Sequence, residues 1–102
     1  MLESLRVVTR EALADTLSLQ DTADAWVYWF GKRHERYLKD AAKNGYSEAT
    51  IDLPWQIAVS KDMASLRIIQ TGVRELLPGF TIGFVEDEYQ GKDIVRLLVS
   101  WR

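Results

Sequence analysis

The sequence predicts an α+β fold of two layers, with three helices packed on a small sheet of three or four strands. Three observations carry this reading. Residues 61–77 show an apolar stripe of helical period. Residues 49–59 alternate at period two, as a half-buried strand does. The last 23 residues, FTIGFVEDEYQGKDIVRLLVSWR, read as two strands around a turn. Amphipathic helices and a one-sided sheet bury their apolar faces against each other, which gives the two layers. The predicted order is (β)-α-α-β-α-β-β, closing on a C-terminal hairpin, within a single domain spanning 1–102.

Taken in order, Leu5-Arg6-Val7-Val8 suits a short leading strand, and Thr9 suits a helix N-cap whose hydroxyl accepts from free backbone N–H groups. The helix REALADTLSL follows, with Leu13 and Leu17 four residues apart. Asp21 or Thr22 is expected to cap a second helix running to about Asn44, where Asn44-Gly45 offers left-handed residues for its end. In ATIDLPWQIAV, Ile51, Leu53, Trp55, Ile57 and Val59 share one side of the predicted strand. Pro54 cannot donate to a ladder, so that strand is expected at an edge or with a bulge. Ser60 is expected to cap the third helix, in which Leu66, Ile69, Val73, Leu76 and Leu77 form the core stripe, and Pro78-Gly79 stops it. Gln90-Gly91 is the predicted two-residue turn. It sets Phe80, Ile82 and Phe84 across from Trp101, Val99 and Leu97.

Composition excludes several function classes. There are 102 residues, no cysteine and one histidine, so disulfides, thiolate nucleophiles and thiolate zinc sites are out. The formal charge of −2 creates no global field toward nucleic acid or an anionic membrane. The longest apolar run, Ala25–Phe30, is far short of a membrane span, and the start of the chain lacks the apolar core of a signal peptide. A soluble, cytoplasmic protein with no membrane partner is expected. No P-loop, dinucleotide fingerprint, nucleophile elbow or metal-protease helix is present. No cofactor, metal site or catalytic residue is assigned, and a non-enzyme is favoured without closing the question of an enzyme.

The densest stretch is AWVYWFGKRHERYLKD, residues 25–40. On a helical wheel of about 100° per residue it divides. Trp26, Val27, Phe30, His34, Tyr37, Leu38 and Ala41 fall on a core-facing arc. Tyr28, Trp29, Lys32, Arg33, Arg36, Lys39 and Lys43 fall outside, interleaved with Glu35 and Asp40. Pairs such as Glu35–Lys39 are expected to lace that outer face. Trp29, Lys32, Arg33, Arg36, Lys39 and Lys43 are the candidate nucleic-acid-binding residues: the cations would meet phosphates and the indole would stack on a base. A helix-turn-helix comparison fails, because Ser18-Leu19-Gln20 replaces the glycine turn. Asp21 and Asp24 would also meet DNA phosphates with negative charge.

His34 lies on the apolar arc with no second histidine or cysteine to complete a familiar site. Glu86, Asp87, Glu88 and Asp93 cluster at the hairpin tip, but alternation splits them between two faces. They read as a charged tip that discourages edge pairing. Ile68 and Gly72, off the core stripe, join Val85, Ile94 and Leu98 on the second sheet face as the candidate protein-binding patch. The leading functional expectation is a non-enzymatic protein–protein interaction or assembly module, with a protein partner or a second copy. A weak nucleic-acid-binding domain is the alternative, and an enzyme with an unrecognised site the second.

Overall fold

The computed structural model describes residues 19–102. The leading strand at 5–8, the Thr9 cap and most of the first predicted helix lie outside the described residues. Among the described residues there are four helical segments and a three-stranded antiparallel sheet. They run α1 (19–28), α2 (Phe30–Lys43), β1 (Glu48–Ile51), α3 (Trp55–Ser60), α4 (Met63–Leu76), β2 (Thr81–Tyr89) and β3 (Lys92–Ser100). The α+β class, the three-stranded sheet and the C-terminal hairpin are as the sequence predicts.

α1 and α2 continue one another. The Trp29 N–H donates to the Ala25 carbonyl at 3.1 Å, and the Trp29 carbonyl accepts from Arg33 at 3.1 Å. At the junction the backbone of Trp29 relaxes to φ −93°, ψ 1°. Asp21 and Thr22 therefore do not cap a helix, since residues 19–22 are already helical. Their cap preference is local and worth about 1 kcal/mol. Burial of Ala23, Trp26 and Phe30 along one stripe outweighs it. At the far end Gly45 takes φ +87° while Asn44 keeps φ −84°, so glycine alone supplies the left-handed residue. The N–H groups of Gly45 and Tyr46 close the last turn on the carbonyls of Ala42 and Ala41.

The predicted strand over 49–59 is corrected. β1 ends at Ile51, and residues 55–60 are helical. The ladder is over by Ile51, and Pro54, which has no N–H to give, opens α3 instead: its carbonyl accepts from Ile57 at 3.0 Å and Ala58 at 2.9 Å. Ile57 and Ala58 are neighbours and both are buried, which a half-buried strand does not allow. α3 closes on Lys61, whose φ of 55° is left-handed. Ser60 is not the cap of α4. Asp62 is, accepting from the Ser65 N–H at 3.0 Å and from the Ser65 hydroxyl at 2.7 Å.

The sheet order is β1-β3-β2, so β1 is an edge strand. The hairpin register pairs Ile82 with Val99 and Phe84 with Leu97, as predicted. Gln90 and Gly91 turn with φ 51° and 80°, the positive pair that matches the twist of the strands. Ala49, Ile51, Ile82, Leu97 and Val99 present one buried face. Against it gather Trp26 and Phe30 from the first two helices and Leu66, Ile69 and Val73 from α4. Gln70 ties α4 to β2 by donating to the Ile82 carbonyl at 2.9 Å. Two side chains placed in the core by periodicity are not there: Leu76 is 51% exposed and Tyr37 49%. Tyr37 reaches past the core, and its hydroxyl donates to the Thr50 carbonyl at 3.2 Å. No helix among the described residues is long and apolar enough to cross a membrane.

Candidate functional site

Three surfaces follow from this arrangement. The first lies beside the junction of α1 and α2. A cleft of about 530 Å³ opens there, lined by Trp26, Trp29, Arg33, His34, Asp52 and Pro54. Residues one helical turn apart share a face, so Trp29, Arg33 and the next turn present their side chains together. Tyr28 and Trp29 stand outside the core, 77% and 43% exposed, with rings 5.0 Å apart and edge to face. The Lys32 ammonium lies 5.1 Å from the Trp29 ring centre. Lys32, Arg33, Arg36, Lys39 and Lys43 are all exposed. Lys39 is engaged by Glu35 at 3.0 Å, the i,i+4 pair expected from sequence.

His34 borders the cleft but turns part of its ring inward. It lies 5.6 Å from Trp26 and 5.2 Å from Phe30, centre to centre. Its Nε2 is shut off from solvent without a hydrogen-bond partner. Desolvation, and then the neighbouring Arg33 charge, hold its pKa below the ordinary histidine range. Both causes favour the neutral ring over the charged one. Asp52 lines the same cleft, but its carboxylate lies 3.1 Å from the Arg96 guanidinium. Arg96 also reaches Asp87, with Nε 2.9 Å from Oδ2. That contact is off the line of a hydrogen bond, so it acts as an ion pair. Asp87 of the acidic tip is thereby neutralised locally. No three of His, Cys, Asp or Glu stand together as metal ligands among the described residues.

The second surface is the one assembled from Ile68, Gly72, Val85, Ile94 and Leu98. Val85, Ile94 and Leu98 share one face of the hairpin, and Ile68 and Gly72 lie on α4. Gly72 faces Val27, and a methyl group there would meet Val27 Cγ2 at 3.1 Å and Cβ at 3.3 Å, with Cγ1 nearer still. The glycine serves a close helix approach. Ile68 is half-buried against the core. Ile94 is only 5% exposed, beside Trp55 and Ala58 of α3. Trp55 packs edge to face on Tyr89 at 5.8 Å, so α3 reaches the second sheet face near the hairpin tip. Val85 and Leu98 stay half-buried on that face, separated by the Gly83 and Arg96 positions of the ladder.

The third surface was not read from sequence. A groove of about 490 Å³ runs between α2 and the end of α4. Its floor and walls include Phe30, Leu38, Leu76, Leu77, Phe80 and Trp101. Phe80 and Trp101 face each other at 6.2 Å beyond the ends of the two long strands. Glu35 and Lys39 stand on its α2 rim. The signal was present in the chain: Leu76-Leu77 at a helix end and Phe80 just after it are more apolar than a solvated turn requires.

Set beside known proteins, the chain matches no family model, no curated protein and no solved structure.

Proposed function

We propose that this chain is a small cytoplasmic interaction and assembly module that pairs with a second copy of itself through the groove between α2 and α4. The observation that carries the reading is the groove's apolar lining, above all Leu76 standing 51% exposed beside Leu38, Phe80 and Trp101. A surface leucine alone is ordinary; a concave apolar strip with a protruding leucine is the usual composition of an interface centre.

The rim supports a second copy as the occupant. A two-fold interface places each patch against itself, so its charges must be self-complementary. Glu35 and Lys39 satisfy this: two antiparallel α2 helices crossing near Leu38 set each Glu35 beside the other copy's Lys39. The internal Glu35–Lys39 pair then exchanges partners without leaving a buried charge alone. Light scattering across a dilution series tests the proposal. A mass that doubles with concentration, and returns to the monomer in Leu76→Glu, is expected. A monomer at millimolar concentration overturns it.

A further inference from the structure

We propose that the outer face of α2, with the cleft at its start, binds single-stranded nucleic acid. The site does not depend on pairing through the groove. On the wheel the groove residues of α2 and the basic residues occupy adjacent arcs, meeting at Lys39.

Charge complementarity carries the choice of occupant. The whole chain holds 13 basic and 15 acidic residues, yet residues 28–43 hold five basic and two acidic. The excess cation is gathered on one exposed helix face. Among the described residues, Lys39 is paired with Glu35, while Lys32, Arg33, Arg36 and Lys43 are exposed and carry no carboxylate partner. From Lys32 to Lys43 the helix rises about 16 Å, the reach of a few phosphates of an extended strand. Such a row alone suits any polyanion.

The aromatic residues select among polyanions. Tyr28 and Trp29 are exposed at the start of the cationic row, touching each other and Lys32 but standing outside the core. The cleft beside Trp29 is also lined by the guanidinium of Arg33, by Asp52, which Arg96 pairs, and by Trp26, whose indole is buried in the core. A base unstacked from its strand meets an aromatic ring there while Arg33 and Lys32 hold the flanking phosphates. Base–aromatic stacking is tolerant of sequence and requires unpaired bases, so the ligand class is single-stranded. Duplex reading is disfavoured because α2 brings Asp40 and Glu35 along its length and has no free N-terminus to enter a groove.

Four phosphate contacts give a salt exponent of about −2.8 for a single strand. Affinity for a labelled fifteen-residue oligothymidylate should fall about 50-fold between 50 and 200 mM salt. Fluorescence anisotropy on the full chain measures it. Trp29→Ala is expected to weaken binding about tenfold with the salt exponent unchanged, and Trp29→Phe to restore most of the loss. Arg36→Gln should lower the exponent by about 0.7. Circular dichroism establishes that each variant is folded, and the phenylalanine variant serves if alanine is not. Three outcomes overturn the proposal: no binding at 50 mM salt; displacement by polyglutamate as effective as by oligothymidylate; or duplex bound more tightly than single strand and Trp29→Ala without effect.

Discussion

Replacing Gly72 by alanine sets two opposed effects against each other, and the structure decides between them. In an open helix, alanine is about 0.8–1.0 kcal/mol more favourable than glycine. Here the new methyl would stand 3.1 Å from Val27 Cγ2 and closer to Cγ1. Ordinary carbon contacts sit at about 3.5–4.0 Å, so roughly an ångström of movement is needed. Val27 is β-branched and has little rotamer freedom on a helix, so α1 must yield as a body. Overpacking of this kind costs about 1–3 kcal/mol. Gly72→Ala should therefore be destabilising by about 0–2 kcal/mol, despite its better propensity. Urea unfolding in two backgrounds separates the terms. With Val27→Ala in place the obstruction is gone, and the same change should stabilise by up to about 1 kcal/mol. The sign reversal is the test. A gain of about 1 kcal/mol in both backgrounds would refute the close packing of α1 on α4.

His34 is the source of a pH prediction. Its folded pKa is lowered, first by desolvation and then by Arg33, so the unfolded chain binds the proton more readily. Its contribution is therefore full above the unfolded value near 6.5 and is lost as pH falls through the lower folded pKa. Unfolding midpoints of the wild type and His34→Gln should diverge across that window; parallel curves would contradict the assignment. Asp62→Ala removes the cap on α4 and should cost about 0.5–2 kcal/mol, read by thermal unfolding. Gln90 turns with φ 51° without the glycine or asparagine that such a position favours. Gln90→Asn should raise stability by up to about 1 kcal/mol, and a loss would argue against the two-residue turn.

The parts of the fold legible in the sequence are those with redundant signals. The hairpin register follows from alternation on both strands together with the turn at Gln90-Gly91, and one slipped residue would turn Ile82, Leu97 and Val99 outward. The division of the aromatic run between Trp26 and Phe30 inside and Tyr28 and Trp29 outside follows from helical period alone. Residues 55–60 were not legible, because six residues are fewer than two helical turns and Trp55, Ile57 and Val59 also satisfy period two. Small residues off a stripe have two meanings, open surface or close helix crossing. Gly72 has the second, which only Val27 reveals. The groove needed tertiary placement, since periodicity puts Leu76 with the core while the turn at Gly79 carries the chain to β2 with Leu76 left half exposed. The basic face was legible residue by residue, but not the cleft that joins Trp29 and Arg33 to Asp52 and Pro54.

Self-pairing through the groove of α2 and α4 is read out by light scattering coupled to size exclusion on the wild type and Leu76→Glu. Leu76 is 51% exposed, so its replacement should leave the circular dichroism spectrum intact. The wild type should form a concentration-dependent dimer and the variant should stay a monomer. A wild type that stays monomeric at every concentration, or a Leu76→Glu chain that dimerises equally well, would contradict it.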